Sequence, residues 1–241
     1  RLSSFFLLGA GCIGSVVGFL VAYPVNSQAL YICLLFLPLL TRLSDMREVL
    51  GSIRLGFRFS RQKFDPPMAL IGSLLLAFSI VIALPEVGYD ALATHLFIPN
   101  YVFHRGYWGY DPTIYVWATL PMLADWIYTT CFFVGGEVGA RAMNLIFLVA
   151  ICDQISRLVT KITEDVTASK IATLLLLTLP LTYIEVSTLF TEIVWTAFLI
   201  CSVLHTVQVS TKESPVPADV ILPTIIDKLC GLSAYLSTVR D

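Results

Sequence analysis

The residues of this sequence that could do chemistry are concentrated between positions 89 and 128. This stretch holds six of the ten tyrosines, three of the four tryptophans and two of the three histidines. It also holds the ionisable residues Asp90, His95, His104, Arg105 and Asp111. Aromatic faces beside carboxylates and a guanidinium suit a site for a sugar and an anionic phosphate, because Arg binds phosphate with paired donors. The alternative is an aromatic belt at a membrane interface.

Asp90 is the first candidate for a catalytic group. It follows Gly88 and Tyr89 just after an apolar segment, where a partly desolvated carboxylate could act as a general base on an acceptor hydroxyl. The alternative is an N-cap for a helix that begins at Ala91. His95 lies five residues after Asp90 rather than four, so one face of an α-helix is not expected to present both side chains, and the metal-ligand spacing is weak.

Glu185 and Glu192 form a second acidic feature, between two apolar segments. Ionisable residues at the ends of apolar segments are functional candidates in a membrane protein. The two carboxylates could serve as an acid/base pair, as metal ligands or as surface charges. Glu192 could also be a first-turn carboxylate that the helix dipole favours.

The composition indicates a membrane protein. Of 241 residues, 57% are apolar and only 13% are charged, whereas soluble domains carry about 25% charged residues. This excludes a disordered chain, a basic nucleic-acid binder and an ordinary water-soluble enzyme. The six cysteines include no CxxC pair and are interpreted as small buried hydrophobes. The sequence contains no P-loop, GxSxG, HExxH or glycine-rich dinucleotide motif.

The expected fold is all-α, a polytopic transmembrane helix bundle with a long outer loop that carries amphipathic or re-entrant helices. Segments of roughly 17–25 mostly apolar residues can cross a bilayer. We predict six spans, at residues 4–23, 29–41, 67–84, 142–155, 171–183 and 193–209.

The charge distribution predicts the orientation. Residues 42–63 contain six Arg and Lys but only two acidic residues, so this loop is expected to be cytoplasmic and residues 85–111 to lie outside. Residues 113–134 are interpreted as an outer or re-entrant segment, because a span there would place Arg157 and its basic neighbours outside. Asp125 within this segment also argues against exposure to lipid.

Three regions follow from this topology. Residues 1–66 comprise two spans and the basic loop, residues 67–209 a membrane core with an outer catalytic loop at 85–136, and residues 210–241 a linker and tail. The chain begins with Arg rather than Met, and we expect it to be a fragment.

The segment GYDALATHLFIP at 88–99, followed by Tyr115 and LPML at 120–123, resembles the first outer loop of GT-C superfamily glycosyltransferases. The likeness is closest to bacterial members of the protein-mannosyltransferase-like and lipopolysaccharide-sugar-transferase-like groups. Gly135-Gly136 fits a glycine turn of that family. Residues 179–192 resemble the end of a later span, where a Pro precedes a second outer acidic residue, commonly Asp and here Glu192.

The resemblance implies inverting transfer of a sugar from a polyprenyl-phosphate carrier to a lipid, glycan or protein acceptor at the outer membrane face. It gives Asp90 the position of the catalytic base and Glu192 that of a supporting carboxylate. We assign Arg105 to the lipid phosphate on charge alone. Further candidates for substrate binding are His95, His104, Asp111 and Tyr115. No nucleic-acid partner and no certain cofactor are expected; a divalent cation stays open.

The resemblance covers about residues 67–209 and has two departures. Two spans precede the catalytic loop, where many family members have none, and the chain ends before the usual eight or more spans. The expected location is multi-pass in a membrane, with the bacterial inner membrane preferred over the endoplasmic reticulum. The alternatives are a transporter, which needs charges at mid-bilayer or discontinuous helices, and a non-catalytic scaffold.

Overall fold

The computed structural model describes residues 2–40, 65–109, 111, 113–115 and 122–213. These residues form helices and no strand. In chain order the α-helices are α1 (Leu2–Leu20), α2 (Gln28–Leu40), α3 (Pro66–Ile82), α4 (Phe97–Arg105), α5 (Leu123–Thr163), α6 (Val166–Thr178), α7 (Pro180–Ser187) and α8 (Glu192–Glu213). A single π-helical turn, Ala91–His95, precedes α4. The predicted basic loop at 42–63 lies outside the described residues, and so do residues 214–241 of the linker and tail predicted at 210–241, whereas residues 210–213 belong to α8.

The all-helical, membrane-compatible fold is confirmed. Within the described residues, three helices are long and apolar enough to cross a bilayer: Leu2–Leu20, Leu123–Thr163 and Glu192–Val209. A helix of 19 residues rises about 28 Å, close to the thickness of the hydrocarbon core. Pro66–Ile82 is also apolar but shorter, at 17 residues.

A predicted span is broken at Pro180. The sequence predicts one span over 171–183, but α6 ends at Thr178 and α7 begins at Pro180 with a bend of 63°. Proline lacks a backbone N–H and pushes the preceding residue out of the helical region. Leu179 accordingly has the extended angles φ −66°, ψ 129°. The predicted span is therefore interrupted, and α6 and α7 together form at most one broken span.

Helix α5 folds back on itself at Gly136. This residue has φ 62° and ψ −152°, a conformation that only glycine adopts readily. A Cβ added at Gly139 would lie 2.5 Å from the carbonyl oxygen of Cys131, so the chain on either side of the turn is in close contact. We call residues 123–135 the short arm and 137–163 the long arm. Gly135-Gly136 is thus a turn, as the sequence predicts.

Helix α1 packs against α5 through glycines. A Cβ at Gly14 would lie 2.8 Å from side-chain atoms of Ile127 and Leu123, and one at Gly18 would lie 3.0 Å from Trp126. The same helix contributes to the main core, whose buried members include Leu7, Ala10, Phe78, Ile127, Phe147, Leu148, Ile151, Leu177, Val186, Val194 and Ala197. Small residues therefore bring α1 against the short arm that carries Asp125.

Two ion pairs mark the end of the bundle where α1 begins. Arg157 pairs with Asp153 at 2.5 Å, as the i,i+4 spacing predicts, and lies 3.5 Å from the hydroxyl of Ser3. Lys170 pairs with Asp65 at 2.5 Å and so joins the start of α3 to α6. At the other end of α1, the backbone N–H of Trp108 donates to the carbonyl of Val21 at 2.6 Å.

Candidate active site

The site is built on the π-helical turn. The N–H of Leu96 donates to the carbonyl of Ala91 at 2.7 Å, an i→i+5 bond that widens the turn by one residue. Residues five apart therefore lie over one another here. The expectation that Asp90 and His95 would not share a face assumed an α-helix, whereas the residues that follow Asp90 form a π turn. Asp90 makes no capping hydrogen bond, so the N-cap interpretation is wrong.

Asp125 is the direct partner of His95. Its Oδ1 lies 2.7 Å from His95 Nδ1, across 30 residues of sequence. The Asp125 side chain is only 5% exposed and that of His95 18% exposed, so the pair is largely shielded from water. A charge-assisted hydrogen bond in such a place fixes the ring orientation and leaves Nε2 as the nitrogen available to a ligand.

Asp90, on the same turn, and Glu192, at the start of α8, act on the imidazole through their charge. Burial disfavours the charged ring, but the hydrogen bond and charge of Asp125, with the charges of Asp90 and Glu192, outweigh it and raise the pKa of His95. Asp90 and Glu192 are both exposed, whereas Asp125 is buried. The structure thus brings together Asp90, His95 and Glu192, three of the residues that the sequence singles out, and adds Asp125. We call these four residues the His95 cluster.

The backbone before Glu192 is held by the long arm of α5. Asn144 Nδ2 donates to the carbonyls of Glu185 at 2.9 Å and Thr188 at 3.0 Å. The Tyr128 hydroxyl lies 2.6 Å from both Asn144 Oδ1 and the carbonyl of Phe190, and its single proton serves one of them at a time. The short arm that supplies Asp125 is therefore tied to the loop that supplies Glu192.

The backbone before Asp90 is held by Arg141. This buried guanidinium donates to the carbonyls of Leu84 and Ser187, and its Nε lies 3.4 Å from Glu86 Oε2. Arg141 also lies 3.8 Å from Glu137, four residues before it on the same arm. One side chain thus binds both the segment that leads into the π turn and the end of α7.

Glu86 completes this arrangement, although the sequence does not single it out. Its Oε1 accepts the backbone N–H groups of Val87 at 2.9 Å and Gly88 at 2.8 Å. Its own N–H donates to Glu137 Oε1 at 2.5 Å. These bonds fix the chain direction immediately before Asp90.

Glu185 lies beside Glu192, and the two carboxylates interact. Its Oε2 is buried without a hydrogen-bond partner in the part of the chain that the structure describes. Among these residues, no group of three or more His, Cys, Asp or Glu side chains is arranged to hold a metal ion. The acid/base and surface-charge interpretations of the two glutamates both stay predictions.

The remaining predicted site residues lie apart from the His95 cluster or at its margin. His104 is exposed and its ring meets Phe103 edge-on at 5.4 Å. Arg105 is exposed at the end of α4, 5.9 Å from the ring of Tyr101. Asp111 accepts bonds from Thr113, which lowers the pKa of its carboxyl. These bonds give Asp111 a local turn-forming role.

Tyr115 is the one outlying candidate that reaches towards the His95 cluster. Its ring stacks on Phe97 at 6.2 Å, and Phe97 is two residues after His95 in the chain. The aromatic residues of this region also pack on one another, as Trp108 does against Trp126 at 6.0 Å. Part of the aromatic content therefore serves packing within the protein rather than binding of a sugar.

Sequence reasoning missed Asp125, Asn144 and Arg141 as parts of the site. Asp125 was used only as an argument against exposure to lipid, and its burial agrees with that argument. The sequence does contain a signal for these three residues. Asp125, Asn144 and Arg141 are polar residues within strongly apolar helical sequence, where a polar residue must find an internal partner. Sequence alone did not identify those partners.

No family model matches this chain, and neither the curated proteins nor the solved structures include a match. The resemblance to GT-C glycosyltransferases therefore stays a prediction from the sequence.

Proposed function

We propose that this protein is a membrane glycosyltransferase that moves a sugar from a polyprenyl-phosphate carrier to an acceptor at the outer membrane face. The observation that carries the proposal is the contact of His95 with the buried carboxylate of Asp125, 30 residues away, where the charges of Asp90 and Glu192 also help to raise the pKa of His95. Ionisable groups gathered from distant segments around one titrating ring are a common property of active sites.

The charge of the His95 cluster suits glycosyl transfer. The transition state of glycosyl transfer carries positive charge on the sugar ring, as in the oxocarbenium-like state of glycoside hydrolysis. Exposed carboxylates such as Asp90 and Glu192 stabilise that charge if they lie against the sugar. A phosphate alone would be repelled by them, so the leaving phosphate needs a cation elsewhere. Arg105, exposed at the end of α4, is our assignment for that contact.

The proposed membrane arrangement keeps six spans, with α6 and α7 as one broken span. The His95 cluster then lies at the outer end and the Arg157–Asp153 pair at the cytoplasmic end. The short arm of α5 comprises residues 123–135. Its first residues pack against Gly14 in the interior of α1, and Phe133 near its end stacks on Tyr31 at the start of α2, so the arm runs from inside the bundle to the turn at Gly136, which supports the re-entrant interpretation.

The test is sugar transfer by membranes that contain the full-length protein, with radiolabelled polyprenyl-phosphate mannose as donor and release of polyprenyl phosphate as readout. Asp90→Asn is expected to reduce transfer by about 10²–10⁴-fold, the range for loss of a general base. Asp165→Asn is the matched control, because Asp165 caps α6 through Thr167 N–H and Asn caps equally well. Donor turnover that is equal in Asp90→Asn and the control would remove Asp90 from the mechanism.

A transporter is the second candidate, and the broken helices favour it. Secondary transporters bind substrates where helices are interrupted, and this chain has interruptions at Leu179 and at Gly136. Proteoliposomes separate the two functions. A transporter moves an intact labelled substrate across the bilayer, whereas a transferase leaves polyprenyl phosphate and a glycosylated product.

A further inference from the structure

The His95–Asp125 pair has the geometry of a proton-transfer dyad. One ring nitrogen, Nδ1, is occupied by a buried carboxylate at 2.7 Å, and the ring retains partial exposure. A carboxylate in this position selects the tautomer of a histidine and stabilises the imidazolium that forms when the other nitrogen takes a proton. The resemblance used in the sequence analysis gives Asp125 no role.

We propose that Asp125 is a positioning residue that holds His95 so that its Nε2 accepts the proton of the acceptor hydroxyl, while Asp90 orients that hydroxyl. This inference rests on the proposed function and gives His95 the step that the resemblance gives to Asp90. The acceptor oxygen forms its bond to the anomeric carbon as the bond from that carbon to the phosphate oxygen breaks. The phosphate leaves with the electron pair, the acceptor proton moves to Nε2, and His95 then releases it to water.

The surroundings of His95 support a base that works near neutral pH. A general base is most effective when its pKa lies near the working pH, and the unperturbed value for His is about 6.5. The charged groups that face the ring are Asp90 from its own turn, Asp125 from α5 and Glu192 from α8. The adjoining helix α4 carries its basic residues, His104 and Arg105, in its last turn.

The first experiment needs no activity. The full-length chain, purified in detergent and labelled with ¹⁵N-histidine, is titrated by NMR. The sequence has three histidines, and His95→Gln assigns the signal of His95. Asp125→Asn is expected to lower the pH at which His95 titrates, because it removes the charge that favours the imidazolium, and to change the tautomer of the neutral ring. Asp165→Asn should change neither. An unaltered titration and tautomer in Asp125→Asn would overturn the dyad.

The second experiment uses the transfer assay. Activity of a histidine base falls as the ring protonates, so Asp125→Asn should move the acidic limb of the kcat/KM profile to lower pH and reduce the maximum by about 10²-fold or more. His95→Gln should reduce transfer by a similar or larger factor. Retention of more than half of wild-type transfer by His95→Gln would overturn the assignment of the base.

The outcomes separate this inference from the proposed function. If the wild-type protein turns over no polyprenyl-phosphate sugar, the proposed function fails, and the titration still decides whether Asp125 controls His95. If wild type is active but Asp125→Asn leaves the acidic limb in place, only the inference fails. Because Asp125 is buried, Asp125→Glu serves as a second variant that retains the charge. It should keep the acidic limb near its wild-type position at a lower maximal rate.

Discussion

The hydroxyl of Tyr128 lies 2.6 Å from the side-chain oxygen of Asn144, although sixteen residues separate them along one run of helix. In a straight α-helix that separation would be roughly 24 Å. The contact therefore requires the fold-back at Gly136. Asp125 lies on the same short arm as Tyr128, so this turn also determines where Asp125 is placed. The candidate site depends on this turn more than on any single catalytic side chain.

The turn predicts that substitution of two glycines, Gly136 and Gly139, lowers the stability of the protein. Gly136→Ala should destabilise the protein by about 1–3 kcal/mol, because its φ and ψ are strained for any other residue. Gly139→Ala should also be destabilising, since the new Cβ meets a backbone carbonyl that cannot rotate away. Thermal unfolding in detergent measures both variants. Gly135→Ala, which meets nothing within 4 Å, is the control, and an equal effect there would refute the argument.

The polar contacts between the arms should be unequal in strength. Tyr128→Phe removes one hydrogen bond and should cost about 0.5–1.5 kcal/mol of unfolding free energy. Asn144→Ala should cost more, because it also leaves the carbonyls of Glu185 and Thr188 without their donor. A double-mutant cycle gives the coupling between the two side chains, and strictly additive effects would show that they act independently.

Arg141 should be among the most sensitive positions for folding. Arg141→Gln leaves the buried carboxylate of Glu86 without its cation, and loss of one partner of a buried ion pair costs about 3–5 kcal/mol. Adding Glu86→Gln should restore part of the loss, because the uncompensated charge is gone. Unfolding midpoints of the single and double variants test this. A double variant less stable than Arg141→Gln alone would contradict the account.

The closeness of Asp90 and Glu192 can be tested without activity. In a background free of the other cysteines, Asp90→Cys with Glu192→Cys should cross-link efficiently with a short bifunctional thiol reagent, because both side chains act on His95. Lys161→Cys with Glu192→Cys is the comparison pair, since Lys161 lies in the last turn of α5. Cross-linking in the comparison pair alone would place the two carboxylates at opposite ends of the bundle.

The orientation in the membrane predicts labelling from opposite sides. Arg105→Cys should react with an impermeant maleimide from outside and Arg157→Cys from the cytoplasm, because the two positions lie near opposite ends of α1. The same cysteine-free background applies, and each position is assayed in sealed membrane vesicles of known orientation. Reaction of both from one side would refute the proposed topology.

The sequence predicts the helices well because hydropathy and helical periodicity are local properties. Predicted boundaries such as 67–84 fall within two residues of Pro66–Ile82, and the pairing of Asp153 with Arg157 follows from i,i+4 spacing. Pro180 itself predicts a break in the helix, whereas the apolar residues on both sides of it favour a continuous span. The meeting of Asp90, His95 and Glu192 was only partly predictable, since it depends on contacts between distant segments.

The π turn shows the limit of reasoning from spacing. The separation of five positions between Asp90 and His95 argues against a shared face only if the turn is α-helical, and none of the four residues between them predicts the wider turn. The sequence does not identify the partner of His95 either, because Asp125 is 30 residues away and contacts His95 only through tertiary packing. Tertiary contacts, rather than local preference, determine both features.

Arg141 and Asn144 stand one helical turn apart on the long arm, and between them they hold the chain before Asp90 and the chain before Glu192. A tilt or rotation of that arm would carry both segments together. The relative placement of Asp90 and Glu192 therefore depends on one helix, and a displacement of that helix should carry both carboxylates in the same direction.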